Sequence, residues 1–316
     1  SIYGGSNNGG TVTTSNVTLK SGNVTNVFGG GSSAEVGTAN VTLDGITINT
    51  IHGGSKDAGV TTTTNVTLLS GTVETVFGGG LDVGVGTSNV SHESSANVTN
   101  IYGGNNSGSG TGGDTTTSNV KISSNVTNVY GGNYLKGTTT NSNVTIHGTP
   151  TISGKLFGGG YKSDIGKADA PGSTTIKVVG GTINNDINGG SEEGIVYGTT
   201  NMYIGVDSFI DATLTAGNVE IKGTIYGAGS STNNGYTTSS VIGNTKITMD
   251  NSSIYPVIYS GSIYGSGKNS TYSTSGTDSD ESTIHIKDFG TSVDNTYQFV
   301  SIERTGSLYI GKSFIE

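Results

Sequence analysis

The sequence has no cysteine and no tryptophan, only 3 prolines, and few charged residues. Without cysteine no disulfide can staple the fold, and the redox compartment is left open. Charged residues make up 12% of the chain, so the low hydrophobic content of 30% does not come with the high net charge typical of disorder. The 55 glycines and the shortage of apolar residues argue against a large spherical core and favour an elongated repeat.

The charge that is present is mostly negative. The chain has 23 Asp and Glu against 14 Lys and Arg, and the net charge of −9 disfavours nucleic acid and anionic membranes as partners. No apolar run approaches the ~20 residues of a membrane-spanning helix, so we expect no membrane insertion. The chain begins at Ser1 inside a repeat motif, and we expect it to be an excerpt from a longer protein.

An aliphatic residue, an aromatic residue and two glycines recur along the chain, as in Val27-Phe28-Gly29-Gly30. Successive copies begin 25, 24, 25, 25, 28, 27, 31, 38 and 38 residues apart. The last three copies are looser, with Asn in the aromatic position of one and Ala or Ser in place of the second glycine in the others. A period in this range is typical of solenoids.

Most periods carry three short patterns of alternating aliphatic and polar residues. These are an Asn-Val-Thr-Leu sequence, a Gly-x-Val or Gly-x-Ile sequence, and the aliphatic-aromatic pair itself. β-branched residues dominate all three, which predicts strands and no helix. Three strands and three bends per period describe one coil whose backbone groups pair with the coils above and below. We therefore predict an all-β, right-handed parallel β-helix (β-solenoid) of about ten coils of ~25 residues, about 50 Å long.

The period divides the chain into two parts of one continuous solenoid. Residues 1–228 are predicted to form regular coils. Residues 229–316 contain more aromatic and charged residues, and we expect less regular coils there with a cap over the last rung.

Strand alternation assigns a role to each position of the Asn-Val-Thr-Leu sequence. Val17 and Leu19 should face the core, Thr18 should face outward, and Asn16 should lie at the bend. We expect an amide ladder of stacked asparagines at Asn16, Asn40, Asn65, Asn89, Asn119 and Asn143. The outward row is expected to contain Thr18, Thr42, Thr67, Ser91, Lys121, Thr145, Lys177 and Glu220. A flat threonine row makes an ice-binding protein one alternative, but lysines and a glutamate interrupt this row and favour ordinary solvent-facing strand residues.

Residues suited to catalysis are few and scattered. The histidines at 52, 92, 147 and 285 fall on different coils, and Arg304 is the only arginine. No nucleophile elbow, zinc-binding His pair or glycine loop opening a helix is present, so we predict no enzyme activity and no cofactor. A polysaccharide lyase or hydrolase is the alternative that the fold suggests, and it would need clustered carboxylates beside a Lys or Arg. The stretch from Thr277 to Ser282 offers calcium ligands in Asp278, Asp280 and Glu281, but one acidic loop supplies few of the six to eight oxygens that Ca²⁺ takes.

The aromatic position of the repeat is the candidate binding site. If the aliphatic residue before it faces the core, strand alternation turns the aromatic side chain outward. Rings ~4.8 Å apart would then form a stripe for sugar rings or a partner protein, whereas a bend at the glycines would bury them as a stack. Both arrangements are compatible with the sequence. The predicted site consists of Tyr3, Phe28, His52, Phe77, Tyr102, Tyr130, Phe157, Tyr226 and Tyr264, with Asn188 in the same position of one coil.

Repeats of the form VFGGG…GTANVTL and IYGGS…TSNVTL resemble the Gly, Thr and Asn-rich repeats of very large adhesin-like surface proteins of bacteria, especially anaerobes. The resemblance covers residues 1–228 well and the remainder weakly. It implies secretion, attachment at the cell surface, and a binding or stalk role. The partner it implies is a host or microbial glycan or a surface protein. This class has no motif that defines binding residues, so none is carried over.

Overall fold

The computed structural model describes residues 1–107, 113–206, 208, 212–231, 241–250, 255, 257–259, 261–268, 282–287, 302–303 and 307–310. All strands in this part belong to one sheet that winds around the molecule, and each pairs in parallel with its equivalent in a neighbouring coil. The described residues contain no α-helix. The predicted all-β parallel solenoid is therefore confirmed.

One face of the solenoid is built from the longer strands, together with two short strands that each pair with the first residues of a longer one. Alternating β-branched and polar residues give these segments their extended form. Two of them continue around a corner onto the next face. The strands of this face are β2 (Thr11–Leu19), the first part of β4 (Glu35–His52) and of β5 (Thr61–Phe77), β6 (Val85–His92), β8 (Thr115–Ile122), β10 (Thr138–Ile146), β13 (Asp164–Ile165), β14 (Gly172–Val178), β17 (Val196–Ile204), β20 (Val241–Ile242), β21 (Thr245–Asp250), β24 (Ser282–Lys287) and β26 (Ser307–Ile310).

The remaining strands carry the other two predicted patterns. In the early coils both patterns lie in one strand, whereas from Thr151 onward they form separate short strands. These strands are β1 (Ile2–Tyr3), β3 (Val24–Phe28), β7 (Asn97–Tyr102), β9 (Val126–Tyr130), β11 (Thr151–Ile152), β12 (Leu156–Phe157), β15 (Gly181–Ile183), β16 (Ile187–Asn188), β18 (Val219–Ile221), β19 (Ile225–Tyr226), β22 (Val257–Tyr259), β23 (Ile263–Tyr264) and β25 (Ile302–Glu303).

The main aliphatic core runs through the stacked coils, and a smaller aliphatic cluster lies apart from it at Ile165, Val196, Ala228 and Val241. Val41 and Leu43 are fully buried, as the alternation at Val17 and Leu19 predicts, and Val17 and Leu19 themselves pack against this core. Each coil adds a few inward side chains, and in-register pairing places them on the equivalent side chains of the next coil. A narrow core of this kind needs little apolar volume per residue, which explains how so polar a chain folds.

The predicted asparagine ladder is present, but it lies on the outer surface of the long strands and not at a bend, because β2 continues on both sides of Asn16. Asn40 Nδ2 donates to Asn16 Oδ1 at 2.9 Å, and Asn65 Nδ2 donates to Asn40 Oδ1 at 2.8 Å. The same bond continues through Asn89, Asn119 and Asn143. Each amide thus both donates and accepts along the axis, and the ladder adds side-chain bonds parallel to the backbone pairing.

The outward row beside the ladder differs from the prediction after Lys177. Lys177 pairs with Tyr203 of β17, whereas Glu220 lies in β18 and pairs with Thr182 on another face. The assignment of Glu220 to this row is wrong because β17 lacks the Asn-Val-Thr pattern. In β17 the inward positions are filled by Met202 and Ile204, which keep the alternation of buried and exposed residues without the Asn-Val-Thr-Leu sequence.

A buried hydroxyl lies in most coils directly before the ladder asparagine or, in the later coils, before the residue in register with it. Ser118 Oγ donates to the carbonyl oxygen of Gly131 at 2.5 Å, and Thr174 Oγ1 donates to Gly189 at 2.6 Å. The same bond is made by Ser15, Thr64, Ser88, Ser142, Thr200 and Thr245. Ala39 occupies this position in one coil and is fully buried. These hydroxyls tie the long strands to the glycine corner across the interior of the coil.

The first glycine after the aromatic position is required by the close stacking of corners. A Cβ added to Gly78 would lie 2.3 Å from the carbonyl oxygen of Gly103 in the next coil. Any side chain here would therefore push neighbouring coils apart, and the repeated glycine follows from this approach.

Parallel pairing continues past residue 228. β19 pairs with β23, and β23 pairs with β25. The predicted cap falls largely outside the described residues, and so does the acidic stretch at 277–281.

Candidate ligand-binding groove

The side chains in the aromatic position stack as a column parallel to the axis. Phe28 and His52 have ring centroids 4.6 Å apart and ring planes within 9°, and His52 and Phe77 follow at 4.9 Å. The stacking extends from Tyr3 to Phe157 without a break, and Tyr226 stacks on Tyr264 at 5.2 Å. Because the paired strands are in register, each ring lies directly over the ring of the coil below.

The structure combines the two arrangements considered for this position. The aliphatic residue before the ring is fully buried in the core in every coil after the first, as at Val27 and Val76, and is partly buried at Ile2, so alternation does turn the ring outward. The six members from Phe28 to Phe157 are nevertheless buried, with exposures of 3% to 8%, whereas Tyr3, Tyr226 and Tyr264 are half-buried. Ring faces are occupied by neighbouring rings, so mainly ring edges are left for a ligand.

A second layer of aromatic residues covers the middle of the column. Tyr134 lies 4.7 Å from Tyr102 at an angle of 57°, and Tyr161 meets Tyr130 edge-on at 6.1 Å. Tyr134 and Tyr161 stack on each other at 5.3 Å and are half-buried. Both lie four residues after the aromatic position, just past the glycine corner. The residue type at this position differs from coil to coil, so the position is not part of the repeat motif in the sequence.

A groove of about 590 Å³ follows the first part of the column. Its floor contains the edges of Phe28, His52, Phe77 and Tyr102. The strand itself supplies polar residues two positions before the ring, and the segment past the corner supplies residues four positions after it. These lining residues are Asn26, Thr50, Thr75 and Asn100 from the strands, and Lys56, Leu81, Asn106 and Tyr134 from beyond the corner.

His52 is the one histidine in the column, and it is uncharged at neutral pH. Burial lowers its pKa to about 3, although a hydrogen bond with the Gly80 backbone acts in the opposite direction. Its Nδ1 atom has no hydrogen-bond partner among the described residues. The imidazole therefore packs as a flat ring between two phenylalanines.

A second pocket of about 650 Å³ lies farther along the same surface, where Asn188 replaces the aromatic residue. Lys155 Nζ lies 2.6 Å from Glu192 Oε1, and the Tyr130 hydroxyl donates to the other oxygen of this buried carboxylate. Burial, followed by the Glu192 hydrogen bond, raises the pKa of Tyr130 far above its ordinary value. Lys268 Nζ pairs with Asp186 Oδ2 at 3.0 Å across the pocket lining.

Catalytic and metal-binding arrangements are sparse in the described part of the chain. There, no three His, Cys, Asp or Glu side chains come close enough to hold a metal ion. The Nε2 atom of His147 and the Oε1 atom of Glu93 are 2.8 Å apart, and the same carboxylate also pairs with Lys121 Nζ at 2.9 Å and accepts a hydrogen bond from Ser91 Oγ at 3.0 Å. No helix within the described residues has the length and apolar character to cross a membrane.

Comparison with protein-family models, with curated proteins and with solved structures finds no significant match to this chain.

Proposed function

We propose that the chain is a non-enzymatic segment of a secreted or cell-surface adhesin that binds glycans along the aromatic column. The observation that carries this proposal is the groove itself, in which ring edges and the half-buried Tyr134 lie between side-chain amides and hydroxyls. The extracellular location rests on the resemblance of the repeats to those of bacterial adhesin-like proteins.

The composition of the groove suits sugars. Sugar hydroxyls pair with amide and hydroxyl side chains such as Asn100 and Thr75, and the C–H faces of a pyranose pack on aromatic carbon such as that of Tyr134. A protein partner would favour an apolar patch at the centre of its interface. The exposed large aliphatic residues of the described part are Val60, Leu69 and Ile258, and none of them lines the groove, where the half-buried Leu81 is the one aliphatic side chain.

An enzymatic role has one observation in its favour, the pocket that holds Glu192 and Asp186. A lyase or hydrolase on this scaffold would need three or more carboxylates converging with a basic residue, and this pocket brings together two, each already paired with a lysine. We therefore expect no release of reducing ends from pectins, alginates or host glycans.

The half-buried tyrosines provide the direct test. Tyr134→Ala with Tyr161→Ala should weaken glycan binding about tenfold or more, because both rings are lost from the groove side of the column. The melting temperature should fall by only a few degrees, since neither side chain is fully buried. Binding is measured on a glycan array and then by titration with the best hit.

Tyr203→Ala is the matched control, because Tyr203 is also half-buried but lies on the long-strand face, in the row of Lys177. It should bind as the unaltered protein does. An array without hits for the unaltered protein would favour a passive stalk, and equal loss in Tyr203→Ala would mean that the groove is not the binding surface.

A further inference from the structure

The aromatic column is interrupted at Asn188. Phe157 pairs in register with Asn188, and Asn188 pairs with Tyr226, so these two rings are separated by two rungs, roughly 10 Å. Rings elsewhere in the column are about half that distance apart, as in the 5.2 Å contact of Tyr130 with Phe157. A carboxamide fills far less of this gap than a ring, and the 650 Å³ pocket opens here.

Asn188 also leaves a polar atom unsatisfied. The residue is 3% exposed, and its Oδ1 atom has no hydrogen-bond partner among the described residues. Buried acceptors in native proteins are almost always paired with protein, water or a ligand. The residue lines the pocket although this oxygen is enclosed, so a rotation of the carboxamide would be needed to bring the oxygen to a donor supplied by a ligand.

The charges around the pocket are balanced and already engaged. Lys155 pairs with Glu192, and Lys268 pairs with Asp186, so two positive and two negative charges line the site. An acidic ligand would have to take a lysine from its carboxylate, and a basic one would have to take a carboxylate from its lysine. A neutral ligand can use the remaining donor and acceptor capacity of these groups without breaking either pair.

From these observations, we propose that the pocket at Asn188 binds one neutral sugar residue of a glycan, with a sugar hydroxyl donating to Asn188 Oδ1. This proposal rests on the glycan-binding function and locates its principal subsite. The two ion pairs offer both donors and acceptors to further hydroxyls, and the edge of Phe157 supplies an apolar contact. The volume lies within the range of ~300–1,000 Å³ usual for small-ligand pockets.

The test compares three variants with the unaltered protein. Asn188→Phe restores the aromatic residue of the other coils and should fill the pocket and abolish sugar binding. Asn188→Ala keeps the space but removes the acceptor, and should weaken binding about tenfold; it also serves if the phenylalanine variant does not fold. Asn218→Phe introduces the same ring at an exposed position outside the pocket and should bind normally.

The probes are the methyl glycosides of glucose, galactose, mannose and N-acetylglucosamine, with galacturonic acid and glucosamine as charged comparisons. Saturation-transfer NMR and titration calorimetry measure binding, and thermal melting checks the fold. At least one neutral probe should bind more tightly than either charged one. Equal or tighter binding of a charged probe would overturn the assignment of a neutral sugar.

The outcomes separate this proposal from the broader one. If Asn188→Phe binds the same glycans as the unaltered protein while Tyr134→Ala with Tyr161→Ala does not, the glycan function stands and the Asn188 subsite is refuted. If the unaltered protein binds no sugar and no glycan, both are refuted.

Discussion

At the scale of single residues, the buried hydroxyl before all but one of the ladder asparagines links two parts of a coil that are far apart in sequence. Ser118 and Gly131 are separated by 13 residues, yet the hydroxyl of one reaches the carbonyl of the other. A hydrogen bond enclosed in this way contributes modestly when made, but a group left unsatisfied by losing its partner is costly.

Ser118→Ala should therefore lower the free energy of unfolding by about 1–3 kcal/mol, because the Gly131 carbonyl loses a buried donor. The reverse change, Ala39→Ser, restores the hydroxyl in the coil that lacks it and should raise the free energy of unfolding by about 0.5–1 kcal/mol. Urea denaturation followed by circular dichroism measures both. Thr117→Ala, at a half-buried outward position on the same strand, is the control. An effect as large as that of Ser118→Ala would contradict this role of the hydroxyl.

His52 makes stability depend on pH. Its pKa is about 3 in the folded protein against an ordinary value of 6.5, so between these values the unfolded chain binds the proton and the folded chain does not. The free energy of unfolding should therefore fall as the pH drops below about 6.5, by up to ~1.4 kcal/mol per pH unit, until about pH 3.

His52→Phe isolates this contribution, because it continues the ring stack between Phe28 and Phe77 and has no titratable group. Its denaturation midpoint should depend less steeply on pH below 6.5 than that of the unaltered protein. His92, whose pKa burial also lowers, and the carboxylates titrate in both proteins and cancel in the comparison. If the denaturation midpoints of the two proteins changed equally with pH, protonation of His52 would not destabilise the folded state.

At the scale of structural elements, the aromatic column acts as a second packing layer outside the aliphatic core. Phe77, Tyr102, Tyr130 and Phe157 form a cluster separate from the main core, with Tyr134 and Tyr161 packed against it. Since the rings hold neighbouring coils together from outside, they contribute to stability even though alternation turns them away from the axis.

Changing Phe77 and Tyr102 together to Ala should lower stability severely, by about 3–5 kcal/mol for an enclosed ring, because their exposures are only 4% and 8%. Thermal melting should show a transition far below that of the unaltered protein. A small change in melting temperature would mean that neighbouring coils close over the space left by the two rings. The column would then contribute little to stability. Because of this destabilisation, binding by the double variant is a poor measure of ligand contact.

The strands and the asparagine ladder could be predicted because each depends on one coil and its copy. Alternation fixes the inward Val41 and Leu43, and in-register stacking fixes the contact of Asn40 with Asn65. The burial of the aromatic position could not be predicted. It depends on packing between coils and on tyrosines such as Tyr134 that lie outside the repeat motif.

The two other features of the site also depend on departures from the repeat. The pocket at Asn188 arises because one coil has an asparagine instead of an aromatic residue. Its balance of charge depends on the ion pairs of Lys155 and Lys268, which belong to other coils. The row position of Tyr203 was missed because β17 keeps the alternation of the long strand but not its Asn-Val-Thr sequence.

At the scale of the whole molecule, each coil contacts mainly the coil before it and the coil after it. Stability in such an array is approximately the sum of what each coil contributes and what each interface between coils contributes. The chain has a net charge of −9 and few charged residues. The backbone pairing and the side-chain columns therefore supply most of the attraction between neighbouring coils.

The parallel winding of the chain has a mechanical consequence. A pull along the axis loads the hydrogen bonds between the terminal coil and the next one first. We therefore expect the molecule to unwind one coil at a time. Coils near the N-terminus, where the period is 24 or 25 residues, should each release roughly 80–90 Å of chain. The 38-residue coils near the C-terminus should release roughly 125–135 Å. Single-molecule force spectroscopy would record these two lengths as distinct steps, whereas one all-or-none rupture would show that the coils share load as a block. A solenoid that unwinds in this way would lengthen under tension while its remaining coils stay folded.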